Sequence, residues 1–270
     1  MENSKILVFS HIPKTAGTSL TYLLKVNFGN RLLPALYRSD AQGATYRHQD
    51  LRKDLKIYKN CSCITGHSLK PFVNFGEMED NLLWFTFLRE PIMRYISHYV
   101  HQQENGIEKY SIGIEEWGEK FHRGNWMVKM IAGEENIEKA IDIIESKIMF
   151  VGLTEEFDTS LLMMRKLLNI DNFDINYGHS RMKTKNAFLK NELITNLDNI
   201  KEILQDKNQL DIKLYEYVKQ YIWPRQMEMY HKLNEYDCIG NKSEISKKIN
   251  LASYKLKNNL IYKPYVRFFS

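Results

Sequence analysis

Four short stretches of the chain are apolar enough to be buried on both faces: residues 5–10 (KILVFS), 61–65 (CSCIT), 82–88 (LLWFTFL) and 147–152 (KIMFVG). Runs this short, rich in β-branched and aromatic side chains, predict strands rather than helices. Between and after them the apolar positions change period. Leu20, Leu23, Leu24 and Phe28 recur three and four apart, and similar patterns cover 92–103, 126–132, 137–146, 155–168 and 189–203. Strands alternating with helices predict an α/β fold, with a central parallel sheet covered by helices on both faces. Ligands of such sheets sit at the carboxyl ends of the strands. Chemistry is therefore expected just after Ser10, Thr65, Leu88 and Gly152.

The last hundred residues are mainly helical in pattern. Leu210, Leu214, Tyr217, Val218 and Tyr221 make one apolar stripe, and Pro224 predicts a bend or a restart of that helix. Further on, Ile245, Ile249, Ala252, Leu256 and Leu260 again fall three and four apart, with lysines on the opposite face. Two readings stay open for this tail. Either the apolar stripe docks on the domain and the basic face is solvated, or the helix meets a membrane surface or an anionic polymer. No internal repeat or low-complexity linker divides the chain, so 1–240 is expected to form a single α/β domain and 241–270 a basic amphipathic tail.

Composition adds exclusions. With 43% apolar and 26% charged residues among 270, the chain reads as an ordinary soluble globular protein. It contains no run of eighteen apolar residues to span a membrane. The first strand begins within about five residues of Met1, so no signal peptide is expected. A cytoplasmic location is expected, with membrane association only through the tail. The net charge of +5 is uneven: beyond Gly240, seven basic residues accompany the single acid Glu244. The remainder is close to neutral, so nucleic acid is not an expected partner. Cys61 and Cys63, near His67, lack a fourth ligand at suitable spacing and read, like Cys238, as thiols without a disulfide framework. No metal is expected. His98 and His101 lack the H-E-x-x-H pattern and read as surface or cleft residues.

The first candidate site is the corner FSHIPKTAGTSLTYLLKVNFG, residues 9–29. A strand ends, small residues let backbone N–H groups turn inward, and a helix starts with its positive dipole end facing the same space. Lys14 adds a full charge; Thr15, Thr18 and Ser19 offer hydroxyls; Ala16 and Gly17 leave room for an anion. The order differs from Walker A, in which the lysine follows the second glycine; here Lys14 precedes Gly17. An ordinary corner with one capping hydroxyl would explain neither the lysine nor the cluster. The second site is FTFLREPIMRYISHYVHQ, residues 85–102. There a strand delivers Arg89 to its carboxyl end, and Pro91 is placed to open a helix. Ser97 lies about two turns along that helix. Arg89 and Ser97 together suit a second phosphate; the competing reading pairs Arg89 with Glu90 or has it cap a helix. Arg94 reads as structural.

These segments resemble a known family. HIPKTAGTSL is similar to the 5′-phosphosulfate-binding loop of sulfotransferases that use 3′-phosphoadenosine 5′-phosphosulfate (PAPS), and LREPIMRYISHY to their 3′-phosphate-binding segment. The resemblance is to the carbohydrate sulfotransferases of the heparan sulfate 2-O- and chondroitin type. It extends in order through NWMVKMIAG (125–133), VGLTEEFDTSLLMMRKLL (151–168) and NQLDIKLYEYV (208–218). It implies a P-loop-NTPase-like core, PAPS as sulfuryl donor and a glycan or other hydroxyl-bearing acceptor. Lys14 would stabilise the leaving phosphate oxygen, and Thr15, Ala16, Gly17, Thr18 and Ser19 would cradle the phosphosulfate. Arg89 and Ser97 would hold the 3′-phosphate. TGHSLKPF (65–72) resembles the segment that carries the catalytic histidine, which makes His67 the candidate general base. Arg181, in the basic stretch NYGHSRMKTKNAF (176–188) with Lys183 and Lys185, is a candidate to close over the nucleotide or to meet an anionic acceptor.

Two departures stand out. The heparan 2-O enzymes carry a second histidine where this chain has Thr65, and the membrane-anchored Golgi relatives carry an anchor and stem that are not expected here. A bacterial or viral-type soluble member is expected. Two rival functions share the corner: a nucleotide kinase or other phosphate-loop NTPase, and a non-catalytic glycan- or nucleotide-binding protein of the same fold.

Overall fold

The computed structural model describes residues 5–36, 45–104, 112–121, 123–170, 172–177, 187–233 and 243–269. Its centre is a five-stranded, wholly parallel sheet in the order β2-β3-β1-β4-β5. The strands are β1 (Ile6–Ser10), β2 (Leu32–Pro34), β3 (Cys63–Gly66), β4 (Leu82–Leu88) and β5 (Ile148–Leu153). Four of the five coincide with the apolar runs. β2 escapes prediction because LLP is too short to show a period and ends in proline. That proline is tolerated because β2 is an edge strand. After β1 the chain passes to the edge at β2, returns inward to β3 beside β1, and then crosses to the other side for β4 and β5. The switch opens a crevice at the carboxyl ends of the strands flanking β1.

Strand alternation sorts the core into two layers. Val8 and Ile64 face one way, towards α5 (Trp126–Ala132), α6 (Ile137–Ser146) and α10 (Gln209–Tyr217), where Val128, Ile131, Ala140 and Leu214 are fully buried. Phe9, Phe85 and Phe87 face the other way, towards α1 (Gly17–Phe28) and α7 (Phe157–Leu167), and bury Leu20, Leu23, Leu24 and Met164. Each such side chain contributes about 1.5–3 kcal/mol. The remaining helices are α2 (His48–Leu55), α3 (Pro91–Glu104), α4 (Ile114–Lys120), α8 (Ala187–Thr195), α9 (Leu197–Lys207) and α11 (Trp223–Leu233). α2 carries too few apolar residues to reveal itself, and the single helix expected over 189–203 divides at Asn196 into α8 and α9. Pro224 is the second residue of α11, which begins at Trp223. A π-helical turn, Val218–Ile222, carries α10 into α11 and takes up the bonding that the proline disrupts.

Two segments of the family resemblance, 125–133 and 208–218, cap one another. Asp211 accepts the amides of Met127 at 3.0 Å and Val128 at 2.9 Å, at the start of α5. Asn125 in turn accepts those of Leu210 at 3.0 Å and Asp211 at 3.3 Å, at the start of α10. Asp211 also lies 4.0 Å from Arg94 Nε, and both side chains are fully buried. Arg94 is thus structural, as expected. Asp211→Ala would strip two capped amides and leave a buried guanidinium without its counter-charge. A loss of about 3–5 kcal/mol is expected in urea unfolding.

The tail departs from expectation. α12 (Glu244–Leu256), a π-helical turn (Lys257–Tyr262) and α13 (Lys263–Phe269) run on as one helix, and α12 packs on α1 and the turn that follows it. The docked face is not the apolar stripe: Lys247, Tyr254, Asn258 and Tyr262 are buried, whereas Ile245, Ile249, Leu256 and Leu260 are exposed. The polar partners that fix this orientation lie far away in sequence. Among the described residues, no helix is long and apolar enough to cross a membrane.

Candidate active site

The loop after β1 is held in an uncommon backbone conformation. Lys14 at φ 72° and Ala16 at φ 60° both lie in the left-handed region that favours glycine. Such residues cost on the order of 1 kcal/mol each and persist where function needs the shape. Here the shape turns successive N–H groups into one concavity, an anion nest, against the N-terminus of the twelve-residue α1. Buried hydroxyls brace it: Ser10 donates to the Leu69 carbonyl at 2.9 Å, and Thr86 to that of Ser10 at 2.8 Å. Thr15 is fully buried and donates to the Ile12 carbonyl at 2.9 Å. Its hydroxyl is committed within the loop, a correction to the expectation that it faces the ligand. At Gly17 an added Cβ would lie 1.6 Å from His11 Nε2, so the glycine makes space for that ring.

A hollow of about 560 Å³ opens above this loop. Lys14, Ala16, Gly17, Thr18, Ser19, His67, Arg89 and Ser97 all line it. The expected residues from three separate sequence segments thus converge. Thr15 stands behind the wall, and Arg181, Lys183 and Lys185 lie outside the described residues. Arg89 donates to the Lys14 carbonyl at 3.2 Å, which ties the two anion corners together. Its neighbour Glu90 instead caps α3, accepting the amides of Ile92 at 3.1 Å and Met93 at 2.7 Å. Pro91 opens that helix as expected, and Ser97 is its seventh residue.

Lys190 of α8 also lines the hollow. Sequence reasoning missed it, because it sits in a helical stretch with no motif around it. Burial lowers the pKa of Lys14, with Arg89 and Lys190 adding repulsion and Glu104 opposing it. Burial lowers that of Arg89 too, against Glu155 and Glu90. These cations favour an anion between them. His98 and His101 are wall residues of the same hollow. Burial, then Arg94, Arg123 and Lys14, push His98 down to about 2, so it stays neutral.

His67 stands one residue beyond β3, exposed to the cleft. Its Nδ1 lies 2.7 Å from the carbonyl oxygen of His11. A carbonyl only accepts, so Nδ1 carries the hydrogen and Nε2 keeps the basic lone pair. The His11 ring lies against it at a tilt of 31°, with centroids 3.9 Å apart. Burial first, then His67 and Lys14, push His11 to about 3. Solvent reaches His67, yet protein atoms on its other sides lower its pKa, with the bond to His11 opposing. His11 belongs to the quoted motif, but only this ring contact reveals its role.

A second hollow, about 550 Å³, shares His11 and His67 with the first. Its walls are mainly apolar: Pro34, Ala35, Leu36 and Tyr254, with Thr65 and Ser68. His67 therefore stands between a cationic and an apolar compartment. A larger hollow of about 1000 Å³ beside α4 and α9 has Glu115, Glu119, Glu202, Asp206 and Glu216 in its wall against Lys207 and Lys213, an acidic excess that does not favour an anionic ligand. Cys61 and Cys63 are buried free thiols, as expected, and burial raises Cys61 to about 12. The sequence model of the sulfotransferase family matches residues 1–141, a span that holds the nest, His67, Arg89 and Ser97. No curated protein matches the chain.

Proposed function

The chain belongs to the sulfotransferase family, and from that premise we propose that it transfers the sulfuryl group of PAPS to a hydroxyl of a glycan. The observation that carries this reading is the position of His67 between the two hollows. Group transfer needs a donor compartment and an acceptor compartment that meet at a proton acceptor.

The cationic hollow fits the donor. The nest, the hydroxyls of Thr18 and Ser19 and Lys14 suit the phosphosulfate, while Arg89 and Ser97 suit a phosphate on the ribose. The apolar hollow fits the C–H face of a sugar ring, with few polar groups to set its orientation. When bound, the donor supplies an electrophilic sulfur and a phosphate leaving group. The acceptor oxygen forms its bond to sulfur as the sulfur–oxygen bond to the phosphate breaks. His67 Nε2 takes the hydroxyl proton, and Lys14 with the nest amides holds the negative charge that gathers on the departing phosphate oxygen. The products are a sulfate ester and 3′,5′-adenosine bisphosphate.

Isothermal titration tests the donor side. The bisphosphate is expected to bind ~10- to 100-fold tighter than ATP, the margin that charge-assisted bonds from Arg89 and Ser97 to one phosphate provide. Tight ATP binding with no such margin would return the chain to the kinase reading.

A further inference from the structure

The apolar side chains left outside by the docked tail form a ridge. Ile245 is 72% exposed, Ile249 61%, Leu256 59%, Leu260 69% and Ile261 53%. Scattered exposed apolar residues need no explanation, but five large ones gathered along one helical run, 245–261, make a patch of the kind that marks an interaction surface. The helix cannot roll to bury them without losing its inner contacts. Lys247 pairs with Asp174 at 3.0 Å, both side chains nearly buried. Asn250 donates to the Val26 carbonyl at 2.7 Å and Lys257 to that of Asn30 at 3.1 Å. Tyr262 donates to Asp54. An added Cβ at Gly29 would come 2.8 Å from Ser253 Oγ, so the helix is seated directly on that glycine's backbone.

Charge decides what covers the ridge. Lys248 and Lys255 immediately precede Ile249 and Leu256 and are exposed beside them, and Lys263 and Arg267 carry the exposed charge into α13. Burial first, and then the charges of Lys255 and Lys263, disfavour the protonated form of Lys25 on α1. A second copy of the chain would bring this cationic edge against itself. A surface with an apolar interior beneath an anionic layer satisfies both features, with the ridge sunk to the acyl boundary and the long amines at headgroup level. We propose that residues 244–267 form an in-plane docking helix for an anionic lipid bilayer. The inner face of the same helix contributes Tyr254 to the apolar hollow beside His67, so docking holds that hollow near the membrane. The proposal stands apart from sulfuryl transfer, because lipid binding needs no turnover.

The test is flotation of the full chain with vesicles of phosphatidylcholine alone, or of phosphatidylcholine with about a third phosphatidylserine. Binding to the anionic vesicles, weakened by salt and near background on the neutral ones, is expected. Ile249→Glu with Leu256→Glu should bring it to background, and Lys248→Gln with Lys255→Gln should lower the partition coefficient roughly thirtyfold. All four side chains are exposed, so an unchanged melting temperature should accompany both variants. Failure of the wild type to float with anionic vesicles overturns the proposal. So does binding that survives the two glutamates. A wild-type dimer in sedimentation equilibrium that the glutamates dissociate would assign the ridge to a second copy and overturn it equally.

Discussion

Lys14→Ala is expected to lower kcat with labelled PAPS by about 10²–10³-fold, the usual consequence of deleting one preorganised donor at a developing negative charge. The backbone should survive the change. Lys14 is already at φ 72°, and alanine meets the same left-handed penalty, so loop strain is neither added nor released. Affinity for the bisphosphate should fall less than kcat, because Arg89 and Lys190 line the same hollow and the nest amides remain. The larger effect belongs in the transition state, where charge moves onto the oxygen that Lys14 faces. Lys14→Arg should restore little. A planar guanidinium does not replace a compact ammonium in a loop shaped around one. Single-turnover rates measured beside titration of the bisphosphate separate the two effects. A kcat within tenfold of wild type would remove Lys14 from the chemistry.

What the sequence discloses and what it hides follow from the range of the forces involved. Strands buried on both faces declare themselves by composition, and the anion corners by charge and hydroxyls crowded at strand ends. Ser97 was legible because helical spacing alone places it two turns beyond Arg89, and the structure sets both in one hollow. Lys190 was not, because it reaches the cleft through the packing of α8 on α3, a contact between residues about ninety apart. The tail shows the same limit in sharper form. Periodicity established that Ile245, Ile249, Leu256 and Leu260 share a face, but not which face meets the domain. That choice rests on Lys247 with Asp174 and on Tyr262 with Asp54, long-range polar pairs that leave no local pattern. The Thr15 hydroxyl turns inward for a local reason. A hydroxyl in a tight loop can turn back on the loop's own carbonyl as readily as outward.

His67→Asn is the sharper test of the proton acceptor. The asparagine amide nitrogen takes the place of Nδ1 and can still donate to the His11 carbonyl, so the loop contact is kept while the basic Nε2 is deleted. A loss of about 10²–10⁴-fold in kcat is expected, with bisphosphate affinity unchanged. The pH profile gives the sign independently. His67 acts as a base only when neutral, and its surroundings lower its pKa below 6.5. Activity should therefore be full at neutral pH and decline through an acid limb whose midpoint lies below 6.5. His11, pushed to about 3, stays neutral across that range and cannot supply the limb. The asparagine variant should lose the limb together with the rate. Residual turnover that keeps the same acid limb would place the proton acceptor elsewhere in the cleft, and turnover within a few-fold of wild type would show that the two imidazoles only shape the wall between the two hollows.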